Sequence, residues 1–466
     1  MVETEKIAPR SRRLGGLSAA TALVAGGTAG LFFWVTASWP SASSNDAWAY
    51  TAWGQALARG EQLVYNLGTT PKPLASVLAA FVSPLPPARA WAVVVALSLG
   101  LLVAGLLAAG YREAGPIGAV AAPAAFVLAA ALEEVIWFSL VDALTAALVV
   151  CAVAFQGRAR IVPLVLAGLL RPEAWAASAL AGYLEVGGSR LRRALGGAVA
   201  GVLPIVLWLA LDLLLTGDAL ATQRFREAAG PELAERTSRS VLEGLDLVRK
   251  AIVAESGALF ALVGTVGLLA HGWRSSRRGE FPFPLALALV WVAGLFAETV
   301  YGIELNARYL LPVVAILALG WGLLVGASVT FVSDRREGWF WVAAATALAA
   351  TALAVMRMDF GLPAQRTGDY NLAASRSVTN VETVLDCGRL GLVGRRRVAG
   401  TMSRFSALTR TSSGRFELAR SQPQSRYAGI LAVLGVERRL LPAWPIRPTP
   451  VGPLAVDPDC PDDLTG

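Results

Sequence analysis

Runs of about 20 apolar residues recur along the chain, separated by short polar stretches. A run of this length crosses the hydrocarbon core of a bilayer as a helix. The candidate spans are residues 14–36, 88–110, 116–133, 140–156, 161–170 with 173–185, 192–216, 250–272, 281–301, 309–331 and 339–356. The pattern therefore predicts an all-α polytopic membrane protein.

Arginine-rich loops set the orientation, because such loops are typical of the cytoplasmic side. Loops of this kind lie at 157–160, 187–193, 272–279 and 333–338. Two of them flank the segment 161–185, so this segment has to enter the membrane and return. Pro172 cannot donate a helix hydrogen bond and marks the turn. With this hairpin we expect about eleven membrane helices, the amino terminus in the cytoplasm and the carboxyl terminus outside.

Composition agrees with a membrane protein, since 55% of the 466 residues are hydrophobic and 16% are charged. Soluble proteins carry about a quarter charged residues. We expect a membrane domain over 1–356 and a small extracytoplasmic α+β domain over 357–466. Outside the cell, Cys387 and Cys460 are free to form a disulfide. A single histidine excludes a Ser-His-Asp triad and a histidine-rich metal site.

The stretch Ser44 to Leu74, "SNDAWAYTAWGQALARGEQLVYNLGTTPKPL", interrupts this apolar pattern. We interpret it as a polar outer loop. Asp46 can reach back to the membrane surface, and the prolines flanking Lys72 hold the backbone extended, which presents a fixed cation to a lipid phosphate. Trp48 and Tyr50 suit either an aromatic belt or stacking on sugar rings, and the sequence does not choose between them.

Further charges fall at the outer ends of the predicted spans. They are Glu133 and Glu134 at one junction, Arg171 and Glu173 at the hairpin turn, and Arg308 before the span that begins "RYLLPV". Charges are costly within a membrane, so their gathering on one side indicates a site there. Each one taken singly also fits a charge solvated at the interface.

The opening loop resembles that of membrane glycosyltransferases of the GT-C class. Their pattern is roughly D-D-A-Y, an aromatic, then A-x-x-L-A-x-G-x-G-L-V-Y-N-x-G. "TTPKPLASVL" is similar to the K-P-P-L element of the aminoarabinose and protein-mannosyl transferases, and "LAGLLRPEAW" and "NARYLLPV", which contains Tyr309, resemble later elements. The mycobacterial terminal arabinofuranosyltransferases also end in an extracytoplasmic domain. The resemblance covers residues 14 to about 356.

The resemblance implies a donor sugar carried on a polyprenyl phosphate and a catalytic base in the first outer loop. Asp46 matches the second acid of the pair, and Asn45 stands at the first. This departure leaves open whether a divalent metal is needed and whether Glu133 or Glu134 supplies the second carboxylate. Asp46 would deprotonate an acceptor hydroxyl, while Lys72 with Arg308 or Arg171 would stabilise the departing phosphate, as in an inverting transfer.

The residues support an outer-side reaction without the family, because the cytoplasmic loops are too short for a nucleotide-sugar domain and no phosphate-binding Gly-rich motif is present. We expect mannose or arabinose to be moved to an envelope glycan, lipid or protein of a bacterial cell membrane, with no nucleic-acid partner. A transporter or flippase, a non-catalytic envelope scaffold and an O-antigen-ligase-like polymer transferase are the alternatives. A transporter would favour inverted repeats and a mid-membrane site.

Overall fold

The computed structural model describes residues 26–30, 45–65, 70–128, 141–225, 227, 240–300 and 307–333, with five short strands between 390 and 456. Its helices are α1 (Asn45–Ala58), α2 (Pro73–Val82), α3 (Pro87–Leu128), α4 (Asp142–Ala154), α5 (Ile161–Gly168), α6 (Glu173–Glu185), α7 (Arg190–Thr216), α8 (Val241–Ser256), α9 (Ala258–Arg277), α10 (Phe283–Val300) and α11 (Leu311–Ser333). Short 3-10 helices precede α5 (Gly157–Arg160) and α11 (Ala307–Leu310).

Several helices are long and apolar enough to cross a bilayer. Among the described residues there are four, Ala90–Val127, Arg190–Thr216, Phe283–Val300 and Arg308–Ser328, or five if α8 and α9 count as one bent span. The chain is a multi-pass helical membrane protein, as the hydrophobic pattern predicts. The total of eleven membrane helices stays a prediction, because residues 339–356 and most of 14–36 lie outside the described residues.

Helix α3 consists of two antiparallel arms. Gly115 between them has a φ of 77°, a conformation that glycine adopts without steric cost. A Cβ on Gly110 would lie 2.3 Å from the carbonyl oxygen of Gly118. A straight helix would hold these two residues about 12 Å apart, so the chain reverses between them. This agrees with separate spans on either side of the "YREAG" loop.

The predicted hairpin is formed by α5 and α6. Arg160 at its start and Glu185 at its end form an ion pair, with Nη1 and Oε1 3.0 Å apart. Trp175 Nε1 donates to the carbonyl oxygen of Gly168 across the turn at 2.8 Å. Gly168 also faces α7 closely, because a Cβ there would lie 2.7 Å from Cβ of Pro204. The chain therefore enters and returns on the same side, as the flanking arginine-rich loops predict.

The prediction of a polar loop after the first span is wrong over Asn45–Ala58, which forms helix α1. Its aromatic residues are core residues and not an interfacial belt, since Trp48, Tyr50 and Trp53 are 2%, 0% and 1% exposed. The Tyr50 ring centroid lies 5.0 Å from that of Trp91 on α3. Apolar neighbours on all sides of α1 explain why its sequence shows no polar face.

The predicted loop over 217–249 is too long, and the predicted span 250–272 is divided between two helices, α8 and α9. Helix α8 already begins at Val241, where the side chains of Ser240 and Glu243 form a capping box. The chain then bends by 105° between α8 and α9 at Gly257, which has a φ of 80°. The loop after α7 is therefore shorter than predicted, and α8 lies at a steep angle to α9.

The tail contributes β1 (Leu390–Val393), β2 (Phe416–Leu418), β3 (Gly429–Ala432), β4 (Ile446–Thr449) and β5 (Gly452–Val456). They form one mixed sheet in the order β2-β1-β3-β5-β4. Strand β1 runs parallel to β2 and β3, and β5 runs antiparallel to β3 and β4. The domain boundary at 357 and the Cys387–Cys460 disulfide involve residues outside the described part of the chain, so both stay predictions.

Candidate functional site

A buried cluster of charged side chains lies where α1, α4, α6 and the start of α11 meet. We call it the ion cluster. Its members are Asp46, Lys72, Asp142, Arg171, Glu173 and Arg308. All of these except Asp142 are predicted site residues, and the structure brings them together from positions up to 262 residues apart.

Asp142 is the centre of the cluster. Its Oδ1 accepts hydrogen bonds from Nε of Arg171 at 3.0 Å and from Nη2 at 2.7 Å. Its Oδ2 lies 4.0 Å from Nε of Arg308. Arg308 in turn donates through Nη1 to Oδ2 of Asp46 at 2.5 Å. The two acids and two arginines therefore form a continuous chain of opposite charges, with the Asp142 side chain only 1% exposed.

Tyr309 supports both arginines. The guanidinium carbon of Arg171 lies 3.4 Å from the Tyr309 ring centroid, and that of Arg308 lies 5.3 Å from it. A guanidinium stacked on an aromatic ring is held in orientation and gains cation–π attraction. The "RY" pair of the "NARYLLPV" stretch thus supplies one cation and a platform for another.

Lys72 is buried at the amino end of α2, with 7% of its surface exposed. Its backbone is extended (φ −132°, ψ 101°), as the flanking prolines predict, and Pro73 opens the helix. The Tyr50 hydroxyl donates to the carbonyl oxygen of Thr70 at 3.2 Å and fastens the segment before it. Burial lowers the pKa of Lys72 to about 8, with repulsion from Arg171 acting in the same direction and attraction by Asp142 opposing it. Among the ion pairs of the described residues, none includes Lys72.

The sequence places Asp142 among the charges at the outer ends of the predicted spans, but it does not assign this residue a role in the site. It is a lone acid at the start of an apolar helix, which also fits a charge at a helix end. The available signal was the cost of burying it: an acid that opens a 13-residue apolar helix needs a cation partner nearby. Arg171, separated from it by 29 residues, is that partner.

The aromatic residues predicted to bind substrate lie in the core of the protein. Trp48 and Tyr50 are enclosed by protein, at 2% and 0% exposed, and their contact with a sugar stays a prediction. Tyr50 keeps a structural role through its bond to Thr70. Glu133 and Glu134 lie outside the described residues.

The described residues do not form a metal site, because no three histidine, cysteine, aspartate or glutamate side chains among them converge. Asp46 and Asp142 are each engaged by an arginine. Cations at this distance oppose the binding of another cation. A metal ligand set completed by Glu133 or Glu134 stays a prediction.

A second group of polar side chains surrounds Asp212 near the carboxyl end of α7. Asp212, 1% exposed, accepts hydrogen bonds from the Tyr65 hydroxyl at 3.2 Å, the Thr222 hydroxyl at 3.1 Å and the Thr222 backbone N–H at 3.0 Å. Next to it is a mostly apolar cavity of about 190 Å³ between the hairpin turn and α7, with Trp175 and Trp208 in its wall. This group holds the segment after α1 against α7.

Comparison of the sequence with protein-family models gives no match, and comparison with curated proteins gives none either. Solved structures do match in fold. ArnT from Cupriavidus metallidurans bound to undecaprenyl phosphate aligns with 96% of this chain and 99% of its own, at 15% identity and a TM-score of 0.59. The same protein in the apo state aligns at 16% identity with a TM-score of 0.53, over 94% of this chain and 98% of its own.

The Archaeoglobus fulgidus oligosaccharyltransferase, in complex with zinc and sulfate, also matches. It aligns with 83% of this chain at 16% identity and a TM-score of 0.50. This chain spans about 61% of that longer protein. Identities this low establish a common fold only. The chain therefore shares the fold of the GT-C class of membrane glycosyltransferases, in agreement with the resemblance of its opening loop.

Proposed function

We propose that the chain transfers a sugar from a polyprenyl-phosphate donor to an acceptor hydroxyl. The observation that carries this proposal is the ion cluster, in which a candidate base, Asp46, lies 2.5 Å from Arg308 beside the buried cation Lys72. An acid and several cations in one buried place are what displacement at a sugar phosphate needs. The fold likeness supports a transferase over a transporter.

The cations of the cluster suit a phosphate. Lys72 and Arg308 are the candidates for direct contact, because Arg171 already directs two N–H groups at Asp142. In a buried site each cation interacts more strongly with an anion than it would in water. Binding would replace the contact between Arg308 and Asp46 by one between Arg308 and a phosphate oxygen. Asp46 would then be released to act as a base.

Asp46 would take the proton of the acceptor hydroxyl while the oxygen of that hydroxyl attacks the anomeric carbon. The bond from that carbon to the phosphate oxygen breaks, and polyprenyl phosphate leaves with the electron pair, stabilised by Lys72 and Arg308. Direct displacement inverts the anomeric carbon. Mannose and arabinose are the proposed sugars, and the acceptor is a hydroxyl of an envelope glycan, lipid or protein.

The test is the replacement of Asp46 by asparagine in membranes supplied with polyprenyl-phosphoryl mannose or arabinose. We expect transfer to fall by about 10²- to 10⁴-fold, the range that a general base contributes. Glu61→Gln is the matched control, since Glu61 is an exposed acid that pairs with Arg59 just after α1. Undiminished transfer by the Asp46→Asn protein would rule out the role of base.

The proposal also requires that the cluster face the outer side of the membrane, with the amino terminus in the cytoplasm and the tail outside. A cysteine at the exposed position 61 would report this, because an impermeant thiol reagent added to intact cells labels it only from outside. Labelling only after the membrane is opened would contradict an extracytoplasmic reaction.

A further inference from the structure

Glu173 is a buried carboxylate that accepts no hydrogen bond from the part of the chain that the structure describes. The residue is 5% exposed, and both Oε1 and Oε2 lack a hydrogen-bond partner there. Its nearest cation is Arg171, with Nη1 3.7 Å from Oε1, beyond hydrogen-bond distance. A carboxylate removed from water without such bonds destabilises the ligand-free protein.

Features of the fold do not offset this cost. Glu173 is the first residue of α6, so the helix dipole favours its charge. That contribution is smaller than the desolvation of a carboxylate. Arg171 does not offset the desolvation of Glu173 either, because its Nε and Nη2 donate to Asp142.

Room for the Glu173 side chain comes from a glycine on α10. A Cβ on Gly294 would lie 3.0 Å from both Cβ and Cγ of Glu173. Three buried polar atoms on α4 and α10 also lack hydrogen-bond partners among the described residues. They are Oδ2 of Asp142, Oγ of Thr145 one turn further along α4, and Nε1 of Trp291 one turn before Gly294.

We propose that Glu173 accepts hydrogen bonds from hydroxyl groups of the sugar that is transferred. This inference rests on the proposed function and extends it, since it divides the ion cluster into two parts. Lys72 and Arg308 take the phosphate. Glu173 repels a phosphate because both are negatively charged. It accepts hydrogen bonds from hydroxyl groups, and such bonds to a carboxylate are short and strong. A neutral sugar with free hydroxyls is therefore the class of group that completes the site.

The consequence is selectivity against deoxy sugars. A site built to bond a hydroxyl rejects an analogue that lacks it, because a buried polar group is then left unpaired. Replacing Glu173 should thus weaken binding of the sugar and leave binding of the phosphate in place. Removing a buried carboxylate that lacks hydrogen bonds among the described residues should also leave the ligand-free protein at least as stable as before.

The experiment measures binding of the full chain, purified in detergent, to undecaprenyl phosphate and to undecaprenyl-phosphoryl mannose and arabinose. The readout is the ratio of the two dissociation constants, without and with a sugar, for the wild type and for Glu173→Gln and Glu173→Ala. For the sugar that the wild type binds more tightly, we expect this ratio to fall by about 10- to 100-fold in both variants. Affinity for undecaprenyl phosphate should stay within about threefold or rise, because a like charge is removed.

Glu185→Gln is the control, since it changes the acid at the opposite end of α6, paired with Arg160. This protein should keep the wild-type ratio. A ratio unchanged in both Glu173 variants would overturn the inference, as would a wild type that binds neither sugar better than undecaprenyl phosphate. A lowered melting temperature of ligand-free Glu173→Gln would also count against it, indicating a structural partner of Arg171. Failure of the wild type to bind undecaprenyl phosphate at all would instead contradict the proposed function.

Discussion

Replacing Asp142 by asparagine should destabilise the ligand-free protein strongly. The change keeps the size of the side chain and removes its charge, leaving Arg171 and Arg308 beside a neutral amide. Asp142 is 1% exposed and accepts two hydrogen bonds from Arg171, at 2.7 and 3.0 Å. Breaking a buried ion pair by removing one partner costs about 3–5 kcal/mol.

The assay is thermal unfolding of the purified protein in detergent. The unfolding entropy of a chain of this length is on the order of 1 kcal/mol per kelvin, so the expected fall in melting temperature is about 3–5 °C. Asp246→Asn is the control, because Asp246 forms only exposed pairs with Arg249 and Lys250 on α8. Exposed pairs of this kind contribute little to stability, so the Asp246→Asn protein should unfold close to the wild-type temperature.

An equal shift in the Asp142 and Asp246 variants would refute the assignment of Asp142 as the counter-ion at the centre of the cluster. A second readout follows from the same charges. An anion binding beside arginines that have lost one of their counter-ions should restore part of the loss. Undecaprenyl phosphate should therefore raise the melting temperature of Asp142→Asn more than that of the wild type.

Three further outcomes are expected. Binding of undecaprenyl phosphate should weaken as the pH rises above about 8, since Lys72 loses its proton there, and Lys72→Arg should remove this dependence. Gly267→Ala should lower stability by about 1–3 kcal/mol or more, because its Cβ would lie 1.9 Å from a carbonyl oxygen of α11, whereas Gly187→Ala, with nothing within 4 Å, should not. Tyr65→Phe should cost about 1 kcal/mol, seen as a lower melting temperature, by removing one of the bonds to Asp212.

The opening-loop motif and the cost of charge in a membrane were sufficient to predict most of the ion cluster. Three of its cations can be recognised from their neighbours in the sequence alone. They are Lys72 between prolines, Arg171 at a proline turn and Arg308 before an apolar span. Which acid meets which cation is decided by helix packing over long separations. The sequence was therefore enough to assign Asp46 a role but not to identify Asp142 as the partner of Arg171.

The errors in the fold have equally specific causes. Helix α1 is buried on every side, so it has none of the polar–apolar periodicity that distinguishes a surface helix from a loop. The start of α8 did have a signal, the S-x-x-E pattern of Ser240 and Glu243. The bend at Gly257 had no sequence signal beyond the glycine itself, because hydropathy carries no information on the angle between consecutive helices.

The shortness of the hairpin has a consequence for the supply of substrate. Helix α6 has 13 residues and rises about 20 Å, and its turn lies level with Pro204, 12 residues before α7 ends at Thr216. Arg171 therefore lies about 18 Å along α7 from the end of that helix, level with its middle and not with its tip. A lipid-borne donor would arrive there by lateral diffusion from the surrounding bilayer. Turnover would then follow the donor's mole fraction among the lipids and not its concentration in the aqueous phase.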